Sequence, residues 1–93
     1  MTTFEWSGPT SRGTYNYRYN EDDEGYSRSI GIASVYAQGA HYRVITAHFF
    51  DALIPNTAYI LKKKFATAEA AKRAVERKVP PLIAVLKMQG VTI

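Results

Sequence analysis

The sequence contains no cysteine. That excludes disulfides and thiolate metal sites, and it points to a reducing compartment, here expected to be the cytoplasm. Histidine is scarce, with only His41 and His48. Seven residues apart on one extended strand, they would sit on opposite faces and roughly 23 Å from each other. No shared metal ion is expected from such a pair. Long apolar runs are also missing, the longest being residues 82–86, far too short to cross a bilayer. The opening Met-Thr-Thr-Phe-Glu-Trp has no basic segment followed by an apolar one, so no secretory signal is expected. No membrane association is expected either.

The elements of catalysis are equally thin. The serines lie in turns and strands without a nucleophile-elbow pattern, and no glycine-rich phosphate loop is present. Glu69 stands three and four residues from Lys72 and Arg73, and Glu76 four from Lys72. Those spacings give weak helical ion pairs, not a desolvated acid–base couple. The expectation is a chain that is not an enzyme and needs no cofactor.

What is present is a single domain of 93 residues, near the lower limit of chains that bury their own core. Its divisions are an N-terminal arm at 1–12, an antiparallel sheet at 13–65 and a helical segment at 67–90. Residues 14–19 alternate strictly, with Tyr15, Tyr17 and Tyr19 on one side and Asn16 and Arg18 on the other. Asn20 to Gly25 reads as a polar hairpin loop whose four acids, Glu21, Asp22, Asp23 and Glu24, face water. Residues 26–37 read as a long strand, with Ile30, Ile32 and Tyr36 on one face and the small residues Ser29, Gly31, Ala33 and Val35 on the other. Gly31 marks a bulge or a close backbone approach. After a turn at Gln38-Gly39-Ala40, residues 42–50 form another strand, and residues 58–65 a further one that leads directly into a helix.

Thr67 is placed to cap that helix, and Ala68, Ala71, Val75 and Val79 share one side of it. Pro80-Pro81 is expected to break it, because proline lacks the amide donor and disfavours helical geometry in the residue before it. A second short helix would follow and end at Gly90. The fold class is therefore α+β: an antiparallel four- to five-stranded meander, then a C-terminal helix broken at Pro80-Pro81, with the helices on one face of the sheet.

The central strands carry apolar residues on both sides: Val44 beside Ile45, and Ile30 and Ile32 opposing Ala33 and Val35. One-sided sheets alternate more cleanly. Something is expected to cover the second face: the arm with Trp6, a second copy, or another partner. The second helix is apolar around most of its circumference, so a homodimer through Leu82, Ile83 and Leu86 is expected.

Charge is unevenly placed. The chain is +4 overall, yet residues 1–56 carry −2 and residues 57–93 carry +6. An anionic partner at the C-terminal half follows from that asymmetry. Lys62, Lys63 and Lys64 at the strand–helix junction, with Arg73 and Arg77 one turn apart on the helix, are the residue types that neutralise phosphates. Tyr15 and Tyr17, with Arg18 and Arg43, offer a base-stacking platform on a sheet face. Nucleic-acid binding is thus one expectation. The other, placed first, is contact with a protein partner, in which the acidic loop Glu21 to Glu24 would mimic phosphates against a basic groove.

The segment Phe65-Ala66-Thr67-Ala68-Glu69-Ala70-Ala71 looks like the strand-to-helix junction of AP2-type DNA-binding domains. The likeness covers about a dozen residues. It implies a sheet backed by one helix, while the Trp and Arg pattern of that family's reading strands is absent. In general style the chain is similar to small single-domain proteins of phages and mobile elements, including those that block host nucleases. That likeness implies a small inhibitor or adaptor acting by contact.

Overall fold

The computed structural model describes residues 2–47 and 63–91. Within them, strands β1 (Thr2–Ser7), β2 (Tyr15–Asp23), β3 (Tyr26–Gln38) and β4 (His41–Thr46) precede one helix, α1 (Ala68–Met88). The strands form one antiparallel sheet in sequence order, β1-β2-β3-β4. The class is α+β.

The N-terminal segment is part of the sheet. Phe4 pairs with Tyr19 and Trp6 with Tyr17, which puts both aromatics on the same face as the tyrosine stripe. The Phe4 ring stacks on Tyr17 at 5.5 Å and meets Tyr19 edge-on, while Trp6 lies 4.5 Å from Tyr17, ring centre to ring centre. Aromatic pairs in these arrangements add about 0.5–1.5 kcal/mol each beyond the area they bury. Trp6 therefore reinforces the helix side and does not cover the opposite face. The loop that follows β1 is tied by Thr10, whose hydroxyl accepts from the amides of Arg12 and Thr14.

The hairpin between β2 and β3 differs from the expected long loop. Glu21, Asp22 and Asp23 continue the strand, pairing with Arg28, Ser27 and Tyr26, and only Glu24-Gly25 make the turn. Gly25 sits at φ +69°, a conformation that favours glycine in two-residue hairpins. The strand lengthens because Glu21 finds cations at its end of the sheet.

A register shift between β2 and β3 explains the apolar residues on both sides of β3. Tyr19 pairs with Ile30 and Arg18 with Gly31, but Tyr17 pairs with Ala33, so Ile32 is the extra residue of a bulge. One inserted residue reverses the alternation. Ile30 on one side of the bulge and Ala33 and Val35 on the other thus share the face of the tyrosines. On β4, Val44 pairs with Val35 and joins that face, whereas Ile45 turns outward and is 59% exposed.

The helix lies on the tyrosine side. Its buried residues Ala71, Val75, Val79, Ile83 and Leu86 form one stripe that packs with Tyr17, Tyr19, Ile32, Val35 and Phe65. Thr67, extended at φ −135° and ψ 157°, caps the helix by accepting from the Ala70 amide at 3.1 Å. At the other end the Gly90 amide donates to the Lys87 carbonyl and the Val91 amide to the Leu86 carbonyl, with Gly90 at φ +81°. That is a Schellman closure, and Val91 packs back on the core.

The expected break at Pro80-Pro81 does not occur; α1 runs through both prolines. The two rings remove the amides that would have met the carbonyls of Glu76 and Arg77, both exposed residues. Interior proline costs about 3 kcal/mol. The four branched residues of the stripe, Val75, Val79, Ile83 and Leu86, are all buried, and each such burial is worth about 1.5–3 kcal/mol. Their sum matches or exceeds the cost of two prolines, and a continuous helix keeps all four in line.

The sheet strand expected at 58–65 falls mostly outside the described residues, as do His48 to Phe50 at the end of the expected 42–50 strand. At its close, Phe65 forms an antiparallel bridge with Tyr42, exchanging both backbone bonds at 2.8 and 2.9 Å. No helix among the described residues is long and apolar enough to cross a membrane.

Candidate functional site

The cations expected to bind an anion divide into two populations. Lys63, just before the Phe65 bridge, and Arg73 and Arg77, one turn apart on α1, line one shallow depression of about 260 Å³ together with Phe65, Ala70 and Ala74. The bridge fixes Lys63 against the helix start, and its ammonium lies 5.4 Å from the centre of the Phe65 ring. Lys64 is exposed beside it, and Lys62 lies outside the described residues. Arg73 and Arg77 are exposed, and among the described residues neither they nor Lys63 is held in a salt bridge. Lys78, the next exposed cation of the helix, adds to the same half.

Lys72 and Lys87 are engaged in the structure instead. The Lys72 ammonium sits 4.5 Å from the centre of Tyr15 and 5.4 Å from that of Trp6, with Glu69 at 3.6 Å. The pair with Glu69 matches the expected helical spacing. Glu76, by contrast, accepts a 2.8 Å bond from the Trp6 indole and so pins β1 to the helix. Lys87 donates to the Tyr19 hydroxyl at 3.0 Å, to Glu21 at 3.1 Å and to Thr2 at 3.3 Å. Arg28 completes the group with a 3.3 Å bridge to the other Glu21 oxygen.

These contacts shift protonation. The Lys87 hydrogen bond, ahead of those from Arg28 and Tyr19, holds the Glu21 carboxyl below its ordinary range. The Tyr19 hydroxyl and then Glu21 raise the Lys87 ammonium. Burial under the helix, with the nearby Glu76 charge second, pushes the Tyr17 phenol up to about 12.

Several expected site residues are therefore placed elsewhere. Tyr17 is 4% exposed and Tyr15 half-buried beneath α1, so this stripe serves the core and offers no platform for bases. Arg18 and Arg43 lie on the opposite face of the sheet from Arg73 and Arg77, because their neighbours Tyr17, Tyr19, Tyr42 and Val44 take the helix side. Arg18 is committed there to Ser29, with its Nε 2.8 Å from the hydroxyl. Arg43 pairs across the ladder with Tyr36. Of the acidic run, Glu21 is tied down, while Asp22 and Glu24 are exposed near the hairpin tip, close to Tyr26, which is 51% exposed.

The expected dimer contacts are mostly internal. Ile83 and Leu86 are 2% and 4% exposed and belong to the core, and Leu82 is half-buried against it. An unbroken helix has one inward stripe, and those residues fall on it. The apolar side chains left outside on α1 are Val85 and Met88, 47% and 87% exposed.

Among the described residues no group of three or more His, Asp or Glu side chains is arranged to hold a metal ion; His41 is exposed on β4, and His48 lies outside the described residues. The Lys87–Glu21–Arg28 group was not expected from the sequence. Its signal was present, since Glu21 continues the odd-numbered series of Tyr15, Tyr17 and Tyr19, and an Glu24-Gly25 turn sets Glu21 opposite Arg28. No family model, curated protein or solved structure matches this chain.

Proposed function

We propose that the protein is a small binding module that acts by contact and catalyses no reaction, and that its helix side engages the phosphate backbone of a nucleic acid. The observation that carries this reading is the convergence of Lys63, Arg73 and Arg77 on one depression. They come from two consecutive segments, the stretch that leads into Phe65 and the helix that follows it, and all three are exposed and outside any salt bridge among the described residues. Guanidinium forks suit phosphate oxygens bidentately, and a lysine adds a point charge beside them. With Lys64 and Lys78 adjacent, the charge excess of the C-terminal half is concentrated on one side of the helix.

The test is a salt titration of binding to short labelled single- and double-stranded DNA and RNA. Neutralising three phosphates gives a log–log slope of about −2 to −3. The variant Lys63→Ala/Arg73→Ala/Arg77→Ala, all at exposed positions, should keep its circular dichroism and lose that slope. Absence of binding at low salt, or binding that the variant leaves intact, refutes the reading.

A second reading, a protein contact of the inhibitor or adaptor kind, draws on the hairpin tip. There Tyr26 is 51% exposed beside the exposed Glu24 and Asp22, and such an amphipathic ring is favoured at protein interfaces. Replacement of Tyr26 and Glu24 by serine should then remove a protein partner and leave nucleic-acid binding unchanged.

A further inference from the structure

Among the described residues the outer edge of β1 has no neighbouring strand, and the direction of its hydrogen-bonding groups can be read from the ladder. In antiparallel sheets, successive residues turn their amide and carbonyl alternately to one neighbouring strand and the other. The Ala47 amide donates to the Ile32 carbonyl at 2.7 Å, and Tyr42 exchanges both its bonds with Phe65. Tyr42, Val44 and Thr46 therefore turn their backbone groups away from β3. Ala33 and Val35, opposite Thr46 and Val44, turn theirs toward β2, where they meet Tyr17 and Tyr15. Asn16, Arg18 and Asn20 are then left to bond Ser7, Glu5 and Thr3 of β1. The amides and carbonyls of Thr2, Phe4 and Trp6 point out of the sheet, and β1 stands at the edge of the strand order.

Edges that must stay single are usually protected by proline, lysine or a bulge. β1, Thr-Thr-Phe-Glu-Trp-Ser, has none of these, and its pairing with β2 is regular throughout. We propose that this edge pairs with β1 of a second copy of the chain, antiparallel and centred on Phe4, joining the two sheets into one.

Register and charge select this occupant. A continuous sheet requires that residues opposite one another share a face. Centring on Phe4 sets Phe4 against the partner's Phe4 and Thr2 against the partner's Trp6, and all the outward groups are used. Thr3 then stands directly opposite the partner's Glu5. Centring on Glu5 instead would use fewer backbone groups and would oppose two carboxylates at the closest cross-strand distance. The Phe4-centred register also matches the helices. Lys87 bonds Thr2 at one end of β1, and Glu76 bonds Trp6 at the other. Setting Thr2 against the partner's Trp6 brings Lys87 toward the partner's Glu76, and the two-fold repeats the match. Phe4 and Trp6, half-buried in one copy, cover each other's open flanks. A self-complementary patch of this kind is what a two-fold dimer requires.

The experiment is sedimentation equilibrium from micromolar to millimolar concentration on the wild type and on Thr3→Glu and Thr3→Lys. Thr3 is exposed on the face away from the helix, so neither change touches the core. The first puts like charges opposite the partner's Glu5 twice, the second opposite charges twice. Dimerisation should weaken about 2- to 30-fold in Thr3→Glu and strengthen by a similar factor in Thr3→Lys. In this cysteine-free chain, Thr3→Cys/Glu5→Cys should oxidise to a covalent dimer. A wild type that stays monomeric throughout overturns the proposal. So does a dimer that the two Thr3 variants leave equal or shift in the same direction.

Discussion

Replacing Pro81 with alanine should stabilise this protein, and the size of the gain follows from the helix. Pro81 is exposed, so its ring contributes little packing, and it lies thirteen residues inside the twenty-one of α1. Alanine restores an amide donor to the Arg77 carbonyl and removes the ring that crowds the preceding turn. It also frees Pro80 from the restriction that a following proline imposes. Interior proline is about 3 kcal/mol worse than alanine in a helix. Against this, alanine loosens the unfolded chain and gives back about 0.4–1 kcal/mol. The net gain is about 2 kcal/mol, which for a chain of this size raises the melting temperature by about 8–16 °C. Thermal unfolding followed by circular dichroism at 222 nm, paired with a urea titration, measures both. If residues 80–81 were instead the start of a second helix, proline would be favourable there. Alanine would then lower stability. An unchanged or reduced melting temperature would refute the continuous helix.

Ile83→Ala should lower stability by about 2–5 kcal/mol while the sedimentation coefficient of the folded chain stays the same, because Ile83 fills the monomer core. Glu21→Gln should destabilise at neutral pH, where Lys87 and Arg28 lose their charged acceptor. Since the folded Glu21 carboxyl titrates below its unfolded value of 4.5, its contribution is complete above that value and is lost as pH falls through the folded one. The wild type and Glu21→Gln should therefore converge in acid; a gap that persists at pH 2 contradicts the assignment.

Much of the fold was legible because local chemistry and tertiary packing agree. The Tyr15–Tyr19 alternation, the Thr67 cap and the Gly90 stop each rest on interactions within a few residues, and the structure keeps all three. The failures share a different cause. The sidedness of β3 depended on one inserted residue, Ile32, and only the pairing with β2 reveals it. The acidic run looked like a solvated loop because its cations, Lys87 and Arg28, come from other elements. Pro80-Pro81 carried a strong local signal that a long buried stripe overrode. The bulge at Ile32 and the contact of Glu21 with Lys87 join residues far apart in sequence, outside the window a local pattern can see.

The same distinction governs the candidate site. A charge of +6 over residues 57–93 could not say which cations face a partner. Packing the helix on the sheet divides them by geometry. Lys72 comes to rest over Tyr15 and Trp6, and Lys87 between Tyr19 and Glu21, so both hold the sheet to the helix. Arg73 and Arg77 project from the other flank, and the Phe65–Tyr42 bridge brings Lys63 to them. A cation already paired with a carboxylate, as Lys72 is with Glu69 and Lys87 with Glu21, gains little from a phosphate, whereas Lys63, Arg73 and Arg77, outside any salt bridge among the described residues, gain a charged partner. The edge of β1 lies on the Lys72–Lys87 flank of α1, since Trp6 and Thr2 are the residues those ends touch. Pairing of two chains through β1 would therefore leave both Lys63–Arg73–Arg77 depressions open, and a dimer would present two of the surfaces proposed to take phosphate. Its affinity for a nucleic acid long enough to reach both would then exceed that of a single depression without any new contact.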